Sequence, residues 1–271
     1  MKPTLSSAGR IIGYLISKYS KYTHHECKRF SSNNNHVFFG YYDITPFSSD
    51  DRILLANQVS IKDGVNQRGP MEIGYYDLND SQDSFNKLGE TTTWCWQMGC
   101  RLRWFPDGDS SSVVYNTMID HKYGSVVVDI DKRTVVKRWD YPLYDINFNG
   151  TLGVSLNFSR LQRLRPGYGY NNRKDSTEGE LSPKTDGLFL IDLDNNDIDL
   201  LVTLDQVRMI EPTGSMGNAE HYFNHISFSP ESTRLIFFHF WRGNKRRYSR
   251  LFSYDILMKR CKIISYNNVS H

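Results

Sequence analysis

Eight histidines, and arginines set among aromatic residues, are the side chains of this 271-residue chain best suited to chemistry. His221, His225 and His239 fall close together late in the sequence. Neutral imidazoles accept protons near neutrality and are good ligands for transition metals. His225 is the foremost candidate metal ligand: alternation over residues 224–228 puts it opposite Ile226 and Phe228, and Asn224 stands beside it to orient the ring. Gln97, Arg101 and Arg103 lie among Trp94, Trp96 and Trp104. A guanidinium fork grips a carboxylate through two parallel hydrogen bonds, whereas the same arginines stacked on tryptophan would be packing alone.

Two further stretches supply groups for binding. Tyr41, Tyr42 and Asp43 follow two phenylalanines and Gly40. Tyrosine hydroxyls beside a carboxylate suit a sugar; alternatively the rings fill space between sheets and Asp43 ties a turn. Residues 157–184 form a long basic, aromatic, turn-rich insertion that includes Arg160, Arg163, Arg165, Tyr168 and Arg173. Loops of this length inside a compact domain are commonly functional or disordered. We read this one as a lid or ligand loop bringing Arg165 to an anionic ligand, against a plain solvated excursion. Trp241 and Arg242, closing an apolar run, complete the candidate binding set.

Positioning such scattered residues requires a repetitive scaffold, and the sequence contains one. Residues 224–228 alternate as a strand, Ser229 to Ser232 supply turn chemistry, and 235–241 read as a second strand buried on both faces. The unit recurs around Trp104-Phe105-Pro106-Asp107-Gly108, around Phe47-Ser48-Ser49-Asp50-Asp51 and, more weakly, around Ile146-Asn147-Phe148-Asn149-Gly150. Four such hairpin units predict an all-β chain, a β-propeller of four-stranded antiparallel blades near 37–80, 93–139, 141–204 and 221–265. Residues 266–271 read as the run-in to another blade, so the propeller is expected to be incomplete. Residues 1–36 are expected to hold an amphipathic helix over 8–22 and a polar linker, the helix serving as a cap on the propeller edge.

Composition narrows the function classes. A formal net charge of +3 without a long basic run argues against nucleic acid, and the apolar piece 11–16 is far too short to span a membrane. Cys27, Cys95, Cys100 and Cys261 lack the paired spacing of a zinc site and read as ordinary thiols, Cys95 and Cys100 as buried ones. With no signal peptide in view, the expected location is the cytoplasm.

The succession Phe38-Phe39-Gly40-Tyr41-Tyr42-Asp43, Trp96-Gln97-Met98-Gly99-Cys100, Asn224-His225-Ile226-Ser227-Phe228-Ser229-Pro230 and His239-Phe240-Trp241 resembles bacterial propellers related to oligogalacturonate lyase and to TolB-type repeats. The resemblance covers most of the chain from Val37 onward and specifies fold better than activity. It implies a site in the propeller channel, where a manganese-like divalent metal binds a uronate carboxylate while a base takes the proton at C5. His225 matches a metal-ligand position, and His271 is a second. The other ligands and the base of such lyases have no counterpart here. The broader implication is a glycan-associated propeller of surface-polysaccharide metabolism that binds an anionic oligosaccharide or polysaccharide. The alternatives are a metal-dependent lyase and a scaffold that meets a protein partner on its top face.

Overall fold

The computed structural model describes residues 28–30, 34–60, 69–80, 84–106, 111–243 and 246–267. The expected helix over 8–22 and His271 lie outside the described residues. The chain divides into two units, Met1–Phe30 and Ser31–His271, and the second holds the sheets.

That unit contains four antiparallel four-stranded sheets, each a meander in chain order, arranged as a four-bladed β-propeller. The first blade comprises β1 (Asn35–Phe38), β2 (Ile53–Ser60), β3 (Met71–Asp77) and β4 (Phe85–Thr91). The second comprises β5 (Arg103–Trp104), β6 (Ser112–Ile119), β7 (Lys122–Asp129) and β8 (Thr134–Trp139). In the third are β9 (Asp145–Ile146), β10 (Leu152–Ser155), β11 (Gly187–Asp192) and β12 (Asp197–Thr203). The fourth is built from β13 (Glu220–Phe228), β14 (Arg234–Gly243), β15 (Arg246–Asp255) and β16 (Arg260–Asn267). Tyr266 and Asn267, read as the approach to another blade, belong to the last strand of the fourth.

The turns follow from local chemistry. Ser48 Oγ donates to Asp50 at 2.6 Å and accepts from the Ile53 amide at 2.9 Å, closing the bend that sends the chain into β2. Asp120 and His121 take left-handed φ values of 46° and 64° between β6 and β7, the conformation a two-residue hairpin with right-handed twist demands.

Alternation along the strands divides each sheet into two faces, and successive blades bury facing rows. Leu55 and Ile73 of the first blade pack in one cluster with Val113 and Val128 of the second. Val114 and Val127, on the opposite face of the second, meet Ile146 and Ile191 of the third. Leu188 and Val202 of the third join Phe237 and Phe252 of the fourth. Each fully buried side chain of this kind contributes about 1.5–3 kcal/mol. The fourth blade's other row carries Ile236, which is 45% exposed, and the half-buried Phe238, Phe240 and Leu251. Among the described residues no buried cluster joins strands of the first and fourth sheets. For this reason residues 235–241 are buried on one face, not both: Leu235, Phe237, His239 and Trp241 point inward.

The first strands of the blades are broken, and the breaks matter for function. Between β1 and the isolated bridge Phe47↔Leu54, residues 39–46 leave the ladder. Ahead of the two-residue β5, Cys95 bridges Gly99 in a tight turn, so the opening of the blade expected from residue 93 is mostly loop. In β13 the register with β14 shifts between Asn224 and Ser227, and His225 takes φ 53°. This is a β-bulge, a device that re-aims a side chain.

Candidate functional site

The broken inner segments of all four blades meet in one hydrogen-bonded chain. Arg101, from the second blade and only 2% exposed, donates to both carboxylate oxygens of Asp43 in the first, at 3.2 and 2.9 Å. Its Nε donates to the Tyr144 carbonyl of the third at 2.8 Å, and its guanidinium lies 4.4 Å from the centre of the Tyr144 ring. Arg101 itself has φ 59°, a conformation that its contacts hold. The Tyr144 hydroxyl donates to Asn224 Oδ1 at 2.8 Å and accepts from the His225 amide at 3.0 Å, in the fourth blade. A parallel link runs beside it: Arg103 pairs with Asp145, whose other oxygen accepts from the Phe228 amide at 2.9 Å. Two hydrogen bonds to one tyrosine oxygen thus account for the bulge at His225.

Against this chain lies a cleft of about 300 Å³ whose walls include Tyr41, Tyr42, Tyr168, His225, Phe238 and Phe240. Arg165 and Arg247 also line it, and no acidic side chain does among the described residues. Tyr41 and Tyr42 sit with ring centres 4.2 Å apart, and Tyr41 leans on the His225 ring at 5.6 Å. Tyr42 is 83% exposed, so one flank of the platform is open. Arg165 lies over Tyr168 at 4.8 Å, which aims its charge along an aromatic face. Burial, chiefly, pushes the Tyr41 hydroxyl well above its usual range, with its hydrogen bond to Tyr42 adding to the effect. Burial likewise lowers the His225 imidazole below its ordinary value, opposed by Asp43 and aided by Arg101 and Arg165. His225 is therefore neutral at pH 7.

The insertion of the third blade is fastened to the body. Its helix Phe158–Leu164 is capped by Asn157, whose side chain accepts from the Arg160 amide at 2.9 Å. Arg160 is 1% exposed and donates to the carbonyls of Thr177, Glu180, Leu181 and His221. Arg163 donates twice to Asp175 and twice to Glu220. The expected ligand loop thus spends Arg160 and Arg163 on its own attachment; Arg165 and Tyr168 are its contributions to the cleft.

The remaining expected residues separate. Asn224 and His225 line the cleft together with Tyr41, Tyr42 and Arg165, while Asp43, Arg101 and Arg103 belong to the links that position it. Gln97 is exposed, and its backbone N–H donates to the Gly167 carbonyl at the insertion's tip at 3.4 Å. Trp241 is 4% exposed and stacks on His221, with its indole donating to Ser215 at 3.0 Å. Arg242 is exposed on a separate surface beside Arg163 and Leu181. His221 and His239 do not reach the cleft. They bond to each other at 2.8 Å, and their outer nitrogens meet the Met216 carbonyl at 3.1 Å and Arg250 at 3.2 Å.

Tyr144, Asp145 and Arg247 were absent from the expected set. A signal for two of them exists: Tyr42-Asp43 and Tyr144-Asp145 are the same dipeptide near the starts of two blades, and each carboxylate takes one arginine of the Arg101, Arg103 pair.

The donors around His225 do not fit a resident divalent metal. Among the described residues no three of His, Cys, Asp and Glu gather at metal-binding distances. Asp43 is engaged by Arg101, and the neighbours of the imidazole are the rings of Tyr41, Tyr168, Phe238 and Phe240. Cys95 and Cys100 are free and fully buried, and burial pushes the Cys95 thiol up to about 12. Among the described residues no helix is long and apolar enough to cross a membrane.

Fold and cleft together define a β-propeller with an aromatic, arginine-edged pocket where its inner strands break. No family model and no curated protein matches the sequence. Solved structures similar to it include TolB from Acinetobacter baumannii, with 13% identity and a TM-score of 0.46 over 88% of this chain and 45% of that one. An oligogalacturonate lyase in complex with manganese gives 13% identity and a TM-score of 0.43 over 89% and 69% of the two chains. The oligogalacturonate lyase of Vibrio parahaemolyticus gives 10% and 0.41 over 88% and 69%. The chain therefore spans less than half the length of that TolB.

Proposed function

We propose that the cleft binds an anionic saccharide of uronate type and that the chain acts as a binding module. The observation that carries this reading is the lining itself: clustered tyrosines, two arginines from different elements, and no carboxylate among the described residues. Sugar rings present apolar C–H faces to aromatic platforms, and a guanidinium fork is shaped for a carboxylate. At about 300 Å³ the cleft is at the lower end of the range for small-molecule sites. A β-elimination reaction makes a stronger demand, since a cation must neutralise the carboxylate while a base removes the adjacent proton. Arg165 and Arg247 offer charge for the first of these, and His225 is the one imidazole among the described residues lining the cleft for the second, so lysis is the alternative that the experiment must separate from binding.

Isothermal titration with a galacturonate trisaccharide and with its methyl ester tests the reading. We expect binding of the acid and at least tenfold weaker binding of the ester, because a charged hydrogen bond is worth roughly 1.5–3 kcal/mol. Equal affinities would refute a carboxylate-directed site. Absorbance of an unsaturated product during the titration would replace binding with catalysis.

A further inference from the structure

We infer that Tyr144 and Asn224 fix the proton of His225 on Nδ1, making this ring the hydrogen-bond donor that the cleft presents to an acceptor oxygen of its ligand. The donor role rests on the saccharide reading above; the tautomer does not.

The argument is a count of hydrogens. The Tyr144 hydroxyl is buried, with the residue 1% exposed. Its oxygen already accepts from the His225 amide at 3.0 Å. A buried hydroxyl also needs an acceptor for its own hydrogen, and Asn224 Oδ1 at 2.8 Å is that acceptor. This decides which way the Asn224 amide points: oxygen to tyrosine, nitrogen toward the imidazole. Asn224 Nδ2 is 3.4 Å from His225 Nε2. An amide nitrogen has only hydrogens to give, so Nε2 must accept, and in a neutral ring the proton then resides on Nδ1. Burial keeps the ring neutral. Were the amide turned round, the tyrosine hydrogen would point at a second donor and be left unpaired, a cost of about 1–3 kcal/mol.

The charged and titratable groups facing the ring are Tyr41 and Asp43 from the first blade, Arg101 from the second, and Arg165 and Tyr168 from the third. None is hydrogen-bonded to the ring. Nδ1 has no protein partner among the described residues, and His225 lines the cleft. A ring fixed in this way offers an acceptor a hydrogen bond and turns away a donor.

The test reads the tautomer directly. Histidine-15N-labelled protein is measured by long-range 1H–15N correlation at pH 7, where the two nitrogens of a neutral ring differ according to which carries the proton. We expect Nδ1–H for His225 in the wild type, the less populated form of free imidazole. In Asn224→Asp, whose carboxylate accepts and cannot donate, we expect the proton to move to Nε2. Tyr144→Phe frees the amide to turn, and the ring should revert to a mixture dominated by Nε2–H. Nε2–H in the wild type would overturn the inference outright, and so would an unchanged Nδ1–H signal in Asn224→Asp. Wild type needs no substitution, so misfolding of a variant leaves the first outcome decisive. For the ligand arm, Tyr144→Phe, which shifts the proton without adding charge to the cleft, should bind the galacturonate trisaccharide several-fold more weakly. Unchanged affinity would remove the donor role, whereas a wild type that ignores the trisaccharide would refute the saccharide reading and leave the tautomer standing.

Discussion

Arg101 of the second blade closes a two-pronged ion pair on Asp43 of the first, with bonds of 3.2 and 2.9 Å around a guanidinium that is 2% exposed. Removing one member of a buried pair strands the other. Asp43→Ala should therefore cost on the order of 3 kcal/mol in urea unfolding. Because the same arginine also holds the Tyr144 carbonyl and faces its ring, the loss should couple with that of Tyr144→Phe in a double-mutant cycle. Strictly additive costs would show that the four blades are not linked through this chain.

Asp175 anchors the insertion from beneath. Its side chain is 1% exposed and accepts from Arg163, Thr177 and Asn157. Asp175→Asn keeps the shape and removes the charge, leaving Arg163 with Glu220 alone. We expect a loss of about 3 kcal/mol, faster amide exchange across 157–186, and weaker trisaccharide binding, since Arg165 and Tyr168 depend on that anchorage. Unaltered exchange would mean that the loop is held by other contacts.

The buried histidine pair makes stability depend on pH. Burial, first of all, lowers His221 from an ordinary value of 6.5 to about 4, and drives His239 well below the same value. Between these limits the unfolded chain binds protons that the folded one refuses, so stability is complete above about pH 6.5 and falls as the solution is acidified. His225 acts in the same direction. From pH 7 to 4.5 the urea midpoint should drop, by about 2–3 kcal/mol in stability for His221 alone. The drop should shrink in His239→Gln. A flat profile over this interval would contradict neutral burial of the pair.

Much of the scaffold was legible in the residues themselves. Turn chemistry at Phe47-Ser48-Ser49-Asp50, the alternation over 224–228 and the apolar run 235–241 mark the hairpins, because all depend on local steric and hydrophobic pattern. The fourth strands β4 and β8 were less visible: β8 is exposed at five of its six positions and carries no alternation. At the site, Tyr41, Tyr42, Arg165, Asn224 and His225 fall together as a cluster of aromatic and basic residues would suggest. Trp241 and Arg242 do not, since strand parity sends one into the histidine stack and the other to the outer surface. The bulge at His225 escapes a reading by alternation because its cause, the Tyr144 hydroxyl, comes from 81 residues earlier in the chain. Burial of Arg160 and the pairing of Arg163 are hidden for the same reason: composition counts charges and says nothing of their partners.

The central claim is that Arg165, from the insertion of the third blade, and Arg247, from β15, hold one carboxylate-bearing ligand between them. Calorimetric titration of the galacturonate trisaccharide into the wild type and into the Arg165→Ala, Arg247→Ala double variant tests this most directly. We expect saturable binding to the wild type and a loss of at least a hundredfold in the double variant, roughly tenfold for each charged contact removed. Equal affinity in the two proteins, or no heat with either, would contradict it.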